Sequence, residues 1–290
     1  MNSVSNDRQS ASQASGFAAL FARSTFLFAA LSAAAFALFA TTACGGPQGP
    51  QALQQTLQTH GGLGEFRSFK GVSYDLTNWP FAAVPPINDR QTIDLSNRTV
   101  HISGTNSAGG AYTLGFDGKE AWIDDPAALG LPARFYYNTP FYFFAMPFVF
   151  ADPGVTVSPE PDFTNGDKSY RVVKITYGAG VGDSPEDDYI LYLDQTSGRI
   201  EFAHYIVSYK ALAGGKPAAD LERHVVVFDW QSADGLVVPA KFHFHAYDPE
   251  KIVGEKLASV GVENVKFSKT RPDQALFQKP AGASVDSSHE

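Results

Sequence analysis

Beyond Phe66, apolar and polar residues alternate with a period of two, the pattern of strands that bury one face. In KGVSYDLTN, Val72, Tyr74 and Leu76 alternate with Ser73, Asp75 and Thr77; in RQTIDLSNRTVHIS, Ile93 and Leu95 oppose Thr92 and Asp94. AYTLGFDGKEAWID reads as a hairpin turned at Asp117-Gly118, because Asp-Gly tolerates the positive φ angles that match the twist of paired strands. SYRVVKITYG, DDYILYLD, GRIEFAHYIVSYK, RHVVVFDWQ, GLVVPAKFHFHAYD and EKLASVGVENVKFSK continue the pattern, with turn signals such as QTSG and SADG between them. No helical stretch long enough for a βαβ crossover intervenes, so the pattern predicts one antiparallel meander, strongly curved or closed on itself. A short helix precedes it: in ALQQTLQTHGG, Leu53 and Leu57 are spaced by four, and Gly61 and Gly62 supply the stop.

One segment breaks the alternation. FYYNTPFYFFAMPFVF, Phe135 to Phe150, is uncharged, more than half aromatic and interrupted by two prolines. Thr139-Pro140 has the chemistry of a helix start, and Pro147 must kink or end the helix. Asp152-Pro153-Gly154 then closes the segment with a turn. The expectation is a short, broken helix that is apolar on every side and therefore needs cover all round. Each large ring gains roughly 1.5–3 kcal/mol from burial, so leaving them all in water would cost about as much as a domain's whole stability. Candidate ligand-lining residues are Phe135, Tyr136, Tyr137, Phe141, Tyr142, Phe143, Phe144, Met146, Phe148 and Phe150. A filled core, a ligand cavity and a partner-docking patch all satisfy the need for cover.

The first fifty residues follow different rules. A polar leader with Arg8 and Arg23 is followed by the apolar run STFLFAALSAAAFALFATTA, and at once by Cys44 and GGPQGP. Cys44 is the only cysteine among the 290 residues, so no internal disulfide is possible. Thr41, Thr42, Ala43 and Cys44 resemble the lipobox of bacterial lipoproteins, although that family usually has Leu where Thr41 stands. The resemblance implies diacylation of Cys44 as the new N-terminus and a membrane association through that lipid anchor. With Gly45 after the cysteine, where retention in the inner membrane commonly uses Asp, it implies an outer-membrane address. The expected organisation is a lipoprotein-type signal peptide at 1–43, a tether at 44–51 and a single domain at 52–290.

Net charge is −8 with no run of Lys and Arg, so nucleic acid is not an expected partner. The motifs of zinc peptidases, P-loop and dinucleotide-binding enzymes and serine hydrolases are absent, and no cofactor is implied. His243 and His245 share one strand face, as a metal pair would, yet Lys241 lies beside them and a third ligand is missing, so a solvated face is the simpler reading. The loop Gly182–Asp188 gathers four carboxylates beside Ser184 and reads as a solvated acidic turn. Asp117 is explained by its turn, and Asp124-Asp125-Pro126 by the start of a helix or loop. A hydrolase using Ser184 or the histidines is the remote alternative.

The short first helix, the successive antiparallel strands, the apolar insertion midway and the ending DQALFQKPAGASVD together resemble the lipoprotein localisation factor (LolA/LolB-like) superfamily. Phrases such as GFDGKEAW, RFYYNTPFYFFAMPFVFADPGV, DDYILYLD and DGLVVPA also resemble an uncharacterised family of bacterial envelope lipoproteins. The first resemblance implies a mostly β fold, a curved antiparallel β half-barrel whose concave face is covered by the apolar insertion and receives acyl chains. The expected function is then a lipid-anchored envelope protein that binds a lipid or other apolar small molecule without catalysis. A scaffold or protein-interaction module of the envelope, with an unknown protein partner, is the alternative. Cavity volume separates these readings, since ligand pockets run to roughly 300–1,000 Å³.

Overall fold

The computed structural model describes residues 49–80, 84 and 86–289; the signal segment and Cys44 lie outside the described residues. The first helix, α1, spans Gly49–Thr59, so it begins within the stretch expected to be tether. It buries Ala52, Leu53, Thr56 and Leu57 and ends as the Gly62 N–H bonds the Leu57 carbonyl at 2.8 Å. A second helix, α2 (Leu63–Ser68), follows.

The first run of strands is β1 (Gly71–Trp79), β2 (Ile87–Asp94), β3 (Thr99–Asn106), β4 (Ala111–Phe116) and β5 (Ala121–Ile123). The stretch 90–103, expected as one strand, is thus two strands joined by a turn. Asp94 accepts from the Ser96 N–H and its carbonyl accepts from the Arg98 N–H, local bonds that compete with continued extension. The second run is β6 (Val155–Asn165), β7 (Lys168–Tyr177), β8 (Tyr189–Asp194), β9 (Ile200–Tyr205), β10 (His224–Ala233), β11 (Leu236–Asp248) and β12 (Ile252–Ser268). A last short strand, β13 (Ser284–Asp286), pairs with β5. Among the described residues these form one 13-stranded antiparallel sheet, in the order β13-β5-β4-β3-β2-β1-β12-β11-β10-β9-β8-β7-β6. The expected meander is present as an open sheet with β13 and β6 at its edges.

Between β5 and β6 lie α3 (Pro126–Leu129), α4 (Ala133–Phe144) and a 3₁₀ turn at Phe148–Ala151. Helix α4 begins nearly two turns before Thr139-Pro140, which corrects the expected start. Its first turn lacks a local side-chain cap, but the Arg134 N–H donates to Asp286 Oδ2 at 2.9 Å. A residue 152 positions away therefore does what a neighbouring Ser or Asp would do. Pro140 sits inside the helix, and Thr139 Oγ1 donates to the Phe135 carbonyl at 2.8 Å. The helix ends before Pro147 as proline requires, with the Ala145 N–H on the Phe141 carbonyl.

Ring contacts from α4 show how far the sheet bends. Tyr137 stacks on Phe116 of β4 at 4.3 Å, while Tyr142 meets Tyr177 of β7 at 6.3 Å. β4 is third and β7 twelfth in the strand order, nine steps, or roughly 43 Å in a flat sheet at about 4.8 Å per strand. A 12-residue helix is roughly 18 Å long. It can touch both strands only if the sheet curves around it, which makes the concave face the core.

One polar network crosses that core. On β2 the inward positions are Ile87, Asp89, Gln91 and Ile93, so two polar residues occupy apolar places. The Tyr112 and Tyr136 hydroxyls donate to Asp89 Oδ2 at 2.9 and 2.6 Å, Gln91 Nε2 donates to Oδ1 at 3.1 Å, and the Tyr74 hydroxyl donates to Gln91 Oε1 at 2.8 Å. Gly104 stands between Asp89 and Tyr112 in the register. A Cβ there would lie 2.6 Å from Asp89 Cβ and 2.7 Å from Tyr112 Oη, so only glycine lets the hydroxyl reach across. Burial pushes the Asp89 carboxyl up to about 6, against the opposing pull of the three donors. The network joins α4 to β1, β2 and β4.

Two outcomes follow from this packing. Phe144 is fully buried and stacked on Tyr74 at 4.1 Å, so Phe144→Ala should cost about 3–5 kcal/mol in equilibrium denaturation. For Asp89 the folded-state value lies above that of the unfolded chain, so its unfolded form sheds the proton first. Its contribution to stability therefore falls as pH rises from about 4 to about 6. Asp89→Asn should remove that slope from the pH dependence of unfolding, and an unchanged slope would show that the carboxyl titrates normally.

Candidate functional site

Not all of α4 is packed tightly. Where the helix faces β8, β9 and β11, a chamber of 390 Å³ remains open, bordered by Trp79, Phe143, Tyr205, Phe244 and Val225. Its other wall is the connection between β9 and β10, which contributes Val207, Leu212, Ala213 and Leu221 and carries the short helix α5 (Lys210–Ala213). At the mouth, Leu212 and Leu257 are 43% and 59% exposed. Glu222, His224 and His245 add polar groups at the rim.

A second chamber of 320 Å³ adjoins it, and Phe135, Thr139, Asp187 and Tyr189 border both. This one is polar. Arg134 of α4 grips Asp183 through Nε and Nη2, both at 2.9 Å, and Arg98 grips Asp152 through one nitrogen at 2.9 and 3.1 Å. The Tyr142 and Tyr177 hydroxyls meet at 2.5 Å. Asp187 Oδ1 accepts from the Ser208 N–H and Oγ at 2.6 and 2.7 Å; burial pushes its carboxyl up to about 6, aided by nearby Asp188 and opposed by those bonds.

The ten candidate residues of the aromatic segment divide between these places. Phe135 borders both chambers, Tyr142 the polar one and Phe143 the apolar one. Phe148 stacks on Phe66 at 4.3 Å and touches a third cavity of 280 Å³ beside α2, lined also by Arg67, Lys70 and Arg98. Tyr136, Phe141, Phe144, Met146 and Phe150 are buried in the core. Phe141 lies under the Arg98 guanidinium at 5.2 Å, and Tyr137 is half-buried against Phe116.

The acidic loop is not the solvated turn its composition suggests. It folds back so that Asp183 meets Arg134, Asp187 meets Ser208, and Asp188 meets Arg223 at 2.9 Å and Lys174 at 3.2 Å. Burial raises the Asp188 carboxyl, yet its two cations more than offset this and hold it below the usual range. Ser184 borders the polar chamber, whose described lining contains no histidine to act as its base. The two histidines are half-buried rather than solvated. His243 bridges Ser259 Oγ at 2.8 Å and Asp229 Oδ2 at 3.0 Å, and His245 Nδ1 meets the Gly254 carbonyl at 2.9 Å, because strands on both sides enclose them. Asp117 accepts from the Lys119 and Glu120 N–H groups and Asp125 caps α3, as expected from their turns. Among the described residues no group of three or more His, Cys, Asp or Glu is placed to hold a metal ion.

Sequence reasoning missed Arg98, Arg134, Tyr189, Leu212 and Leu257 as site residues. Arg134 carried the one available signal, a charge placed immediately before an uncharged aromatic run. Leu212 and Leu257 carried none, because an apolar residue in a turn or a strand says nothing about the cavity next to it.

If the Arg134–Asp183 grip shapes the polar chamber, Asp183→Ala should leave a half-buried guanidinium unpaired and cost more than the ~1 kcal/mol of an exposed pair. Asp162→Ala, at an exposed position, is the control in thermal denaturation.

A comparison with curated proteins gives no match. Among solved structures, the chain is similar to a LolA superfamily protein from Nitrosomonas europaea, at 11% identity and a TM-score of 0.49 over 81% of this chain and 99% of the other. It is similar also to a DUF1329 family protein from Desulfovibrio piger, at 8% identity and 0.46 over 78% and 95%. A Vibrio parahaemolyticus domain assigned to outer-membrane lipoprotein sorting gives 9% and 0.44 over 79% and 95%. Residues 128–243, from the end of α3 into β11 and so including α4 and most of both chambers, match a family of unknown function, DUF6503.

Proposed function

We propose that the protein is a lipid-anchored protein of the cell envelope, carried at Cys44 and resident in the outer membrane, that holds an apolar or lipid-like ligand between α4 and the sheet without catalysing a reaction. The observation that supports this is the 390 Å³ chamber left open between α4 and the sheet. Its volume is that of a small-molecule pocket. Its walls are mainly aromatic and aliphatic, so the driving force for filling it is removal of apolar surface from water, about 25 cal/mol per Å². Leu212 and Leu257 at the mouth extend that apolar surface to the outside, giving an entering chain a continuous path. The similarity to a LolA superfamily protein and to a lipoprotein-sorting domain agrees with an envelope setting.

The alternative, a scaffold filled by its own rings, describes Phe144 and Phe148 well, since both are stacked in the interior. It leaves the chamber at Phe143 without a purpose.

Detergent-free protein should bind an uncharged apolar dye, and long-chain lipids should displace it. Ala213→Trp, which fills the chamber, and Leu212→Asp, which puts a charge at its mouth, should each weaken dye binding about tenfold, about 1.4 kcal/mol. Leu212→Asp should leave thermal stability within about 0.5 kcal/mol. No dye binding by lipid-free wild type, or unchanged binding in both variants, would refute the proposal. For the anchor, a fatty-acid analogue fed to cells should label the wild type and not Cys44→Ala.

A further inference from the structure

We infer that the ligand is an amphiphile with a positively charged ammonium head group, its tail in the apolar chamber and its head in the polar one, held by Asp187. This rests on the apolar chamber being a ligand site, and it names what that ligand must carry.

The charges of the polar chamber support the inference. Both of its arginines are already committed, Arg98 to Asp152 and Arg134 to Asp183, each with both carboxylate oxygens engaged. Asp187 remains. Among the described residues no Lys, Arg or His forms an ion pair with it, and its two hydrogen bonds both end on Oδ1, from the backbone and hydroxyl of Ser208. Oδ2 accepts none among the described residues, and it is not among the enclosed atoms that lack a partner, so it is not sealed off. Asp187 itself borders both chambers.

The surroundings of that oxygen suit a cation. The rings of Phe135, Tyr142, Tyr177, Tyr189 and Tyr209 border the same chamber. Aromatic faces carry negative quadrupole charge, and a carboxylate among several of them is the arrangement that attracts an ammonium group. A carboxylate or phosphate head would instead face an uncompensated negative charge at about hydrogen-bond distance. Both arginines are already charge-balanced, by Asp152 and Asp183, so neither offers an unpaired positive charge to offset that repulsion. The position sets the geometry: a head group on Asp187 leaves a tail attached to it at the boundary with the apolar chamber, beside Phe135.

The test is displacement of the uncharged dye, below micelle-forming concentrations, by four twelve-carbon amphiphiles: dodecylamine, dodecyltrimethylammonium, dodecanol and dodecanoate. Propylamine is the head group without a tail. At least one ammonium should displace the dye at a concentration tenfold or more below dodecanol, with dodecanoate weaker than dodecanol and propylamine inactive. Which ammonium is tighter tells a primary amine head from a methylated one. Asp187→Asn should bring the ammonium to the level of dodecanol, while Glu186→Gln, the same loss of charge at an exposed neighbour, should leave the ranking unchanged. Equal displacement by ammonium and alcohol in the wild type overturns the inference whether or not Asp187→Asn folds, as does an equal effect of both substitutions. If dodecanol also fails, along with the dye, it is the apolar site itself that is refuted.

Discussion

The connection from β5 to β6 has to cross the whole sheet. The two runs of strands diverge from the β1–β12 pair, so the end of the first run lies near one edge and the start of the second lies at the other. A segment that makes that crossing on the concave side is covered by strands along its length and can tolerate polar side chains only where a partner waits for them. The aromatic composition of residues 135–150 follows from the topology. So does the curvature, since a flat sheet would leave most of those rings in water. Tyr136 shows the rule at its strictest, because its hydroxyl enters the core only where Asp89 accepts it.

The two ends of the crossing are tied to the sheet by charge. Arg134 holds the start of α4 to the loop before β8, and Arg98, in the turn between β2 and β3, holds Asp152 just after the 3₁₀ turn. Between these ties the side of α4 that faces β1 and β12 is filled, by Phe144 against Tyr74 and Phe267. The side that faces β8, β9 and β11 is filled only in part, by Phe143 against Tyr205, Phe242 and Phe244, and the chamber remains beside it. With both ends of the crossing tied, the side chains of the strands and of the β9–β10 connection determine how far the gap closes. Across β8 and β9 they leave it open.

Most of the architecture was legible from local pattern. The alternation of Val72, Tyr74 and Leu76, the Asp117-Gly118 turn and the absence of crossover helices give an antiparallel meander directly, because strand faces and hairpins are local properties. The start of α4 was not legible, since its cap is Asp286, far along the chain. Nor was the inward turn of the acidic loop, whose partners Arg134, Lys174, Ser208 and Arg223 come from α4, β7 and the β9–β10 connection. The polar inward positions of β2 were readable in principle: Asp89 and Gln91 are in phase with Ile87 and Ile93, but the phase alone could not name the tyrosines that satisfy them. Of the aromatic segment, the sequence shows that cover is needed and not which rings touch a cavity, because that depends on what β8 and β9 leave unfilled.

Asp89 and Asp187 make the same point from two sides. Burial raises both carboxyls to about 6, and on that measure they are indistinguishable. Their geometry separates them. Asp89 has both oxygens taken, by two tyrosines and a glutamine, and a glycine kept small so that one of the tyrosines can reach it; every donor it needs is built into the fold. Asp187 has one oxygen taken twice and the other without a hydrogen-bond partner among the described residues. A buried carboxylate stripped of water is costly unless something donates to it. In the first case that requirement locks a helix to a sheet. In the second the fold meets it only in part, through Ser208, at a position that borders both chambers, and it is this difference in geometry on which the proposed ammonium head group rests.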